Sequence, residues 1–241
     1  MRRARSRPFV WLAGLLALAY GAGQAWAETP APAAPFAAGG ASPTAQPSTY
    51  EIDPTPFVTV GYRTLHFGMT STETRQAVAA LFGPAIAKAL KPDTVEPGFT
   101  ALTVDGAPTP EIGPARLILV FRDDRLRAIN LEQIVPGQAT PAQRQGLIDN
   151  ARTLAAGMEG RFWPPLKTVL GRPVGANDLL VFSGIDDLGN GVQVSLLGVD
   201  YTYPDRGGVM QSSPKATGAA ALRVLFEQDF DLRSVLRPGD F

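Results

Sequence analysis

The chain reads as an α+β fold, an antiparallel sheet with two helices on one of its faces. Three observations predict it. Apolar runs with strand periodicity follow one another across tight-turn signals, as in a meander. Two stretches with helical periodicity open on threonine caps and close on glycine. The order is strand, helix, strands, helix, strands, which segregates helix from sheet. Each helix is followed by two or three strands, so the order also reads as a helix-plus-meander unit used twice, with halves 57–135 and 136–241.

The elements follow in order. Residues 57–67 predict a strand, with Val58, Val60 and Tyr62 alternating against Thr59, Gly61 and Arg63. Thr70-Ser71-Thr72-Glu73 is a capping box: the Thr70 hydroxyl takes an orphan amide and Glu73 reaches back. Ala77, Val78, Leu81 and Phe82 then form one apolar stripe, and Gly83-Pro84 stops the helix. The next thirty or so residues are Pro-rich, with one short strand at 99–104. Strands at 116–121 and 126–134 flank Arg122-Asp123-Asp124-Arg125, where aspartates tolerate left-handed turn geometry. The second helix begins with Thr140, Pro141 and Gln143, and its stripe is Leu147, Ala151, Leu154 and Met158 up to Gly160. Strands follow at 179–183, 191–203 and 221–228, with a Gly189-Asn190-Gly191 turn before the second. Val78, Leu81, Leu147 and Leu154 are the expected core residues of the helices.

The first 56 residues have a different character. Arg2, Arg3, Arg5 and Arg7 precede a short apolar run, and Ala25-Trp26-Ala27 has the small-x-small pattern of a cleavage site. Residues 1–27 therefore read as a secretory signal peptide cut after Ala27. This predicts a periplasmic protein with no membrane span after cleavage; an uncleaved signal would leave it anchored in the inner membrane. Residues 28–56 hold seven prolines and seven alanines, too few large apolar groups to offset ordering entropy, and read as a disordered linker. The folded domain is then 57–241.

Charge and cysteine content narrow the function. The whole chain carries 22 basic and 22 acidic residues, and cleavage removes four arginines and no acid. A net charge near −4 argues against nucleic acid, which demands a basic footprint. With no cysteine there is no disulfide, no lipidation site and no thiolate nucleophile or ligand.

The segment Phe67-Gly68-Met69-Thr70 through the capped helix to Gly83-Pro84 resembles a phrase of the SmpA/OmlA lipoproteins of the outer-membrane assembly machinery, and of related uncharacterised periplasmic domains. The resemblance implies an envelope compartment and a helix-on-sheet build. Each matched residue has a structural role, so it implies no activity.

Motifs for catalysis are sparse. His66 is the sole histidine, placed at a strand end with no cysteine to complete a metal site. Ser212-Ser213-Pro214-Lys215 matches Ser-x-x-Lys, but Pro214 and flanking glycines make it a loop. Asp186-Asp187 and Gly189-Asn190-Gly191 read as a hairpin turn rather than a calcium loop. There is no phosphate-binding glycine loop, no Gly-x-Ser-x-Gly and no His-Glu-x-x-His. Trp163, Tyr201 and Tyr203 are candidates for a partner surface, since rim aromatics bind peptide or glycan; core packing is the other reading.

The sequence therefore predicts a non-enzymatic binding or envelope-accessory module. It names no catalytic residue, cofactor or metal, and its partner would be another envelope protein or a glycan. Two alternatives stand beside it. One is a hydrolase using Asp123, Asp124, Asp186 and Asp187, four acids expected in solvated turns. The other is a structural module tethered by its linker.

Overall fold

The computed structural model describes residues 56–94, 97–165, 167–174, 177–202, 211–212 and 216–230, all within one compact unit, Ile52–Phe241. The predicted signal peptide, with Ala25 and Ala27, and nearly all of the predicted linker lie outside the described residues. Among the described residues the elements are β1 (Gly61–Tyr62), β2 (Leu65–His66), α1 (Ser71–Phe82), α2 (Pro84–Ala89), β3 (Lys91–Thr94), β4 (Phe99–Thr109), β5 (Gly113–Arg122) and β6 (Arg125–Val135). Then come α3 (Pro141–Glu159), β7 (Thr168–Pro173), β8 (Leu179–Ile185), β9 (Gly191–Leu197), β10 (Tyr201–Thr202), β11 (Gln211–Ser212) and β12 (Ala220–Glu227).

An antiparallel sheet of eight strands dominates, in the order β3-β4-β5-β6-β12-β9-β8-β7. The fold is more sheet-rich than the expected two-helix α+β plan. The strands of this sheet that the pattern missed, β3 and β7, are its two edges; β11, in a separate two-stranded sheet with β10, also falls outside the expected strands. Their sequences, Lys91-Pro92-Asp93-Thr94 and Thr168 to Pro173 with Gly171 inside, carry the proline, glycine and charge that edges tolerate and central strands do not. The strand expected to end at 104 runs on to Thr109, because Asp105-Gly106 forms a bulge in the β4–β5 pairing and not a turn.

Residues 57–67 are not one strand. They fold into the β1–β2 hairpin, turned at Arg63, which has φ 53°. Gly61 is obligatory there, since a Cβ would run into the Leu65 carbonyl at φ 135°. Gly83 ends α1 as expected, but Pro84 then opens the short helix α2, where its fixed φ suits a first position.

Both capping boxes are present. The Thr70 hydroxyl accepts from the Glu73 amide at 3.2 Å, and Glu73 accepts from the Thr70 amide at 2.8 Å. The matching distances at Thr140 and Gln143 are 3.2 and 2.9 Å. Asp124 adds a tertiary cap. Its left-handed backbone (φ 52°) in the β5–β6 turn lets Oδ1 accept from the Ser71 amide at 3.0 Å, at the start of α1.

The core joins helix to sheet. Val78, Phe82, Leu147, Ile148 and Ala151 pack in one cluster with Leu117, Leu119, Ile129, Leu131, Val194, Leu196, Leu222 and Val224. Val78 and Leu147 are buried as expected, whereas Leu81 and Leu154 are only half-buried and pack on the margin of the cluster. Phe82 and Ile148 take the deeper positions in α1 and α3.

Candidate functional site

Strand periodicity splits the sheet into two faces. One face is the core just described. The pairing register aligns the other face into rows that cross the strands. One row runs Thr103, Ile118, Asn130, Leu225 and Gln193 across β4, β5, β6, β12 and β9. The next runs Arg116, Glu132, Arg223 and Ser195 across β5, β6, β12 and β9. None of these residues belongs to the core cluster. The five residues of the first row are all half-buried, and Ile134 on the same face is 42% exposed.

The polar groups of this face are organised by one another. Arg223 Nε and Asn130 Nδ2 each donate to Glu132 Oε1 at 2.9 Å. The Glu132 side chain is 11% exposed, so the Arg223 charge is what makes its burial tolerable. Gln193 Nε2 donates to Ser195 Oγ at 2.8 Å. Arg116 lies 3.8 Å from both Asp93 and Asp105. Asn130 Oδ1 is buried and has no donor among the described residues. Such an acceptor costs free energy until something donates to it. β8 is buried on both faces, and so is the row Ala101, Val120 and Ala128 on this face, so the accessible strip runs from β3 to β9 on the other side of that row.

The structure scatters the residues named from sequence. Trp163 is half-buried: its ring lies 4.8 Å from Phe57 and 5.5 Å from Phe182, and its indole N–H donates to the Met158 carbonyl at 2.8 Å. It also seats against Gly184 of β8, where any Cβ would collide with the indole. Tyr201 forms part of β10, but its side chain and the whole of Tyr203 lie outside the described residues, as do Ser213 to Lys215. His66 is exposed, with Nε2 3.0 Å from the Arg63 carbonyl.

The four aspartates occupy two separate turns, Asp123 and Asp124 between β5 and β6, Asp186 and Asp187 between β8 and β9. These turns stand three strand spacings apart, about 14 Å, wider than the roughly 5–9.5 Å over which carboxylate pairs cleave glycosides. The expectation that all four are solvated fails for Asp186, which is fully buried. It accepts backbone amides from Thr59 at 2.7 Å, Leu188 at 2.9 Å and Asn190 at 2.8 Å, and Asn190 donates back to the Thr59 carbonyl at 2.9 Å. Asp186 thus clamps the entering chain to the β8–β9 turn, a role its bare sequence does not signal.

Among the described residues, no three His, Cys, Asp or Glu side chains gather as a metal site, and no helix is long and apolar enough to cross a membrane. Sequence reasoning missed the polar rows. Their members come from five strands, and only the register aligns them. No family model, curated protein or solved structure matches the chain.

Proposed function

We propose that this chain is an exported envelope module that binds a partner protein through the polar face of its sheet and performs no catalysis. The observation that carries the reading is the row of half-buried residues around the Glu132–Arg223 pair, with the unpartnered acceptor Asn130 Oδ1 among them. Beyond the buried Ala101, Val120 and Ala128, five spacings of about 4.8 Å and about six residues at 3.4 Å leave a strip of roughly 490 Å², the scale of a small, transient interface. Chemistry supports it too: apolar Ile118 and Leu225 alternate with neutral Thr103, Asn130 and Gln193 beside the charge-paired Glu132 and Arg223, the mixture found in protein interfaces rather than nucleic-acid sites.

We read the fold as one helix-plus-meander unit used twice, with both helices on the core face. α1 precedes the meander β3 to β6, α3 precedes β7, β8, β9 and β12, and the final strands β6 and β12 pair antiparallel at the junction. The periplasmic location rests on the signal pattern at 1–27, and the likeness of Gly68 to Pro84 to SmpA/OmlA-type domains agrees with an envelope role.

The test is association in native periplasmic extract. The wild-type chain is expected to migrate in a species larger than itself, and Leu225→Glu with Ile118→Glu to migrate alone while keeping its melting temperature. A wild-type chain that migrates alone, or a larger species unchanged by the variant, contradicts the reading; a species of two copies of this chain would make it a homodimer face.

A further inference from the structure

On the core side of the sheet, beside the β1–β2 hairpin, lies a cleft of about 270 Å³. Its inner wall is apolar, formed by Leu131 of β6, Val224 and Phe226 of β12, and Leu154 and Met158 of α3. The two α3 residues explain why the cleft exists. Earlier in the helix, Leu147, Ile148 and Ala151 are fully buried against the sheet. Leu154 and Met158, one and two turns on, are only half-buried and leave their stripe facing the cleft.

The mouth is polar and asymmetric. Tyr62 donates its phenol proton to Glu111 Oε2 at 2.7 Å, and Arg63 donates from Nε and Nη2 to Oε1 at 3.2 and 2.5 Å. Both Glu111 oxygens are engaged, and the Arg63 charge is balanced. Arg161, also on the lining, is not balanced. Its guanidinium sits 5.3 Å from the centre of the Phe57 ring, and among the described residues no carboxylate is within ion-pair distance of it. The mouth therefore offers two arginines against one carboxylate, and Arg161 is the cation not paired to Glu111.

We propose that this cleft binds a small amphiphile, an apolar body with an anionic head, the body resting on Leu131, Leu154, Met158 and Phe226 and the head on Arg161. At about 30 Å³ per water-sized group, the volume admits about nine such groups, the scale of a medium-chain carboxylate. Arg161, exposed at the mouth, supplies the positive charge for the head, and the Glu111 carboxylate repels the head from the Arg63 side. The site lies on the face opposite the polar rows, so it neither needs the partner reading nor falls with it.

The experiment titrates the full chain with octanoate, octanol and acetate, followed by amide chemical shifts. Octanoate is expected to saturate, with shifts confined to β1, the β4–β5 turn at Glu111 and Ile112, β6 around Leu131, the C-terminal half of α3 with Arg161, and β12. Octanol should bind at least tenfold more weakly, and acetate not measurably. Arg161→Gln, an exposed substitution, should reduce octanoate binding to the level of octanol. Met158→Trp, which fills the cleft, should abolish both; if that variant does not fold, Leu154→Phe replaces it. No saturable octanoate binding, equal binding of octanol, or octanoate binding unchanged in Arg161→Gln would each overturn the proposal.

Discussion

Removing the Arg144 guanidinium should be among the most damaging single changes in this domain. Arg144 is the fourth residue of α3 and is completely buried. A cation in the first turn of a helix stands against the helix dipole, so other contacts must outweigh that cost. They come from three backbone carbonyls. Nε donates to Ala139 at 3.3 Å, Nη2 to Gly218 at 2.6 Å, and Nη1 to Gly198. One side chain thus ties the start of α3 to the β6–α3 connection, the end of β9 and the approach to β12. Gly198 is held in place for this: at φ 63° a Cβ would strike the Ala219 carbonyl. Arg144→Ala leaves the Ala139 and Gly198 carbonyls without their donor, while exposed Gly218 keeps the Ala139 amide at 3.0 Å. Each unmet buried group costs about 1–3 kcal/mol, and relaxation recovers some, so the expected loss is about 2–4 kcal/mol. For a domain of this size that lowers Tm by roughly 4–16 °C. Arg144→Lys keeps the charge but not the planar fork, and should recover only part of the loss. Denaturant titration of both variants measures this. A loss below about 1 kcal/mol for Arg144→Ala would refute the reasoning, because it would mean water satisfies those carbonyls.

Four further outcomes are expected. Asp186→Ala unpairs the amides of Thr59, Leu188 and Asn190, so it should cost about 2–4 kcal/mol and speed hydrogen exchange at Thr59; unchanged exchange there would argue against the clamp. Leu147→Ala should cost about 2–5 kcal/mol and half-buried Leu81→Ala clearly less, a ranking that equal losses in chemical denaturation would contradict. The third concerns acid. Backbone and side-chain hydrogen bonds from Thr70 hold Glu73 below the usual carboxylate range, and bonds from Ser71 do the same for Asp124. At Glu111 partial burial pushes upward, but bonds from Arg63 and Tyr62 outweigh it and the net shift is downward. Folded values below unfolded ones mean stability that is present above about pH 5 and lost as pH falls through the depressed values. Tm should therefore be flat from pH 7 to 5 and fall below about pH 4, less steeply in Glu73→Gln with Asp124→Asn; identical acid limbs would exclude these two groups. Finally, intact mass of the periplasmic form should place Glu28 first, and a species retaining 1–27 in the membrane would turn the protein into an anchored one.

What the sequence discloses depends on how local the cause is. The capping boxes at Thr70 and Thr140 involve residues three apart and are legible at once. The Asp123-Asp124 turn is equally local, and both residues adopt the positive φ that the pair predicts. Central strands announce themselves by apolar alternation, but β3 and β7 do not, because their place at the edge replaces apolar residues with proline, glycine and charge. Arg144 looks like any helical arginine until the loops ending at Gly198 and Gly218 are folded over it. The polar face is the least legible feature. Its rows depend on register, and register depends on irregularities at Val104/Ala107, Val120/Phe121 and Leu180/Phe182 that shift which residues align. Trp163 drew attention as an aromatic, yet its contacts with Phe57, Phe182 and Gly184 follow from folding that no local pattern encodes.

Site-specific photo-crosslinking in the living cell is the sharpest test of the proposal that the polar face binds a partner. A benzophenone side chain placed at Ile118, Leu225 or Gln193 lies on the polar rows; the same group at Thr153 or Arg152 lies on exposed positions of α3. The account predicts one discrete adduct with another protein from the three sheet positions, absent from the two helix positions and lost in Arg223→Glu, which breaks the pairing with Glu132. Adducts from the helix positions alone, or none from any of the three sheet positions, would contradict it.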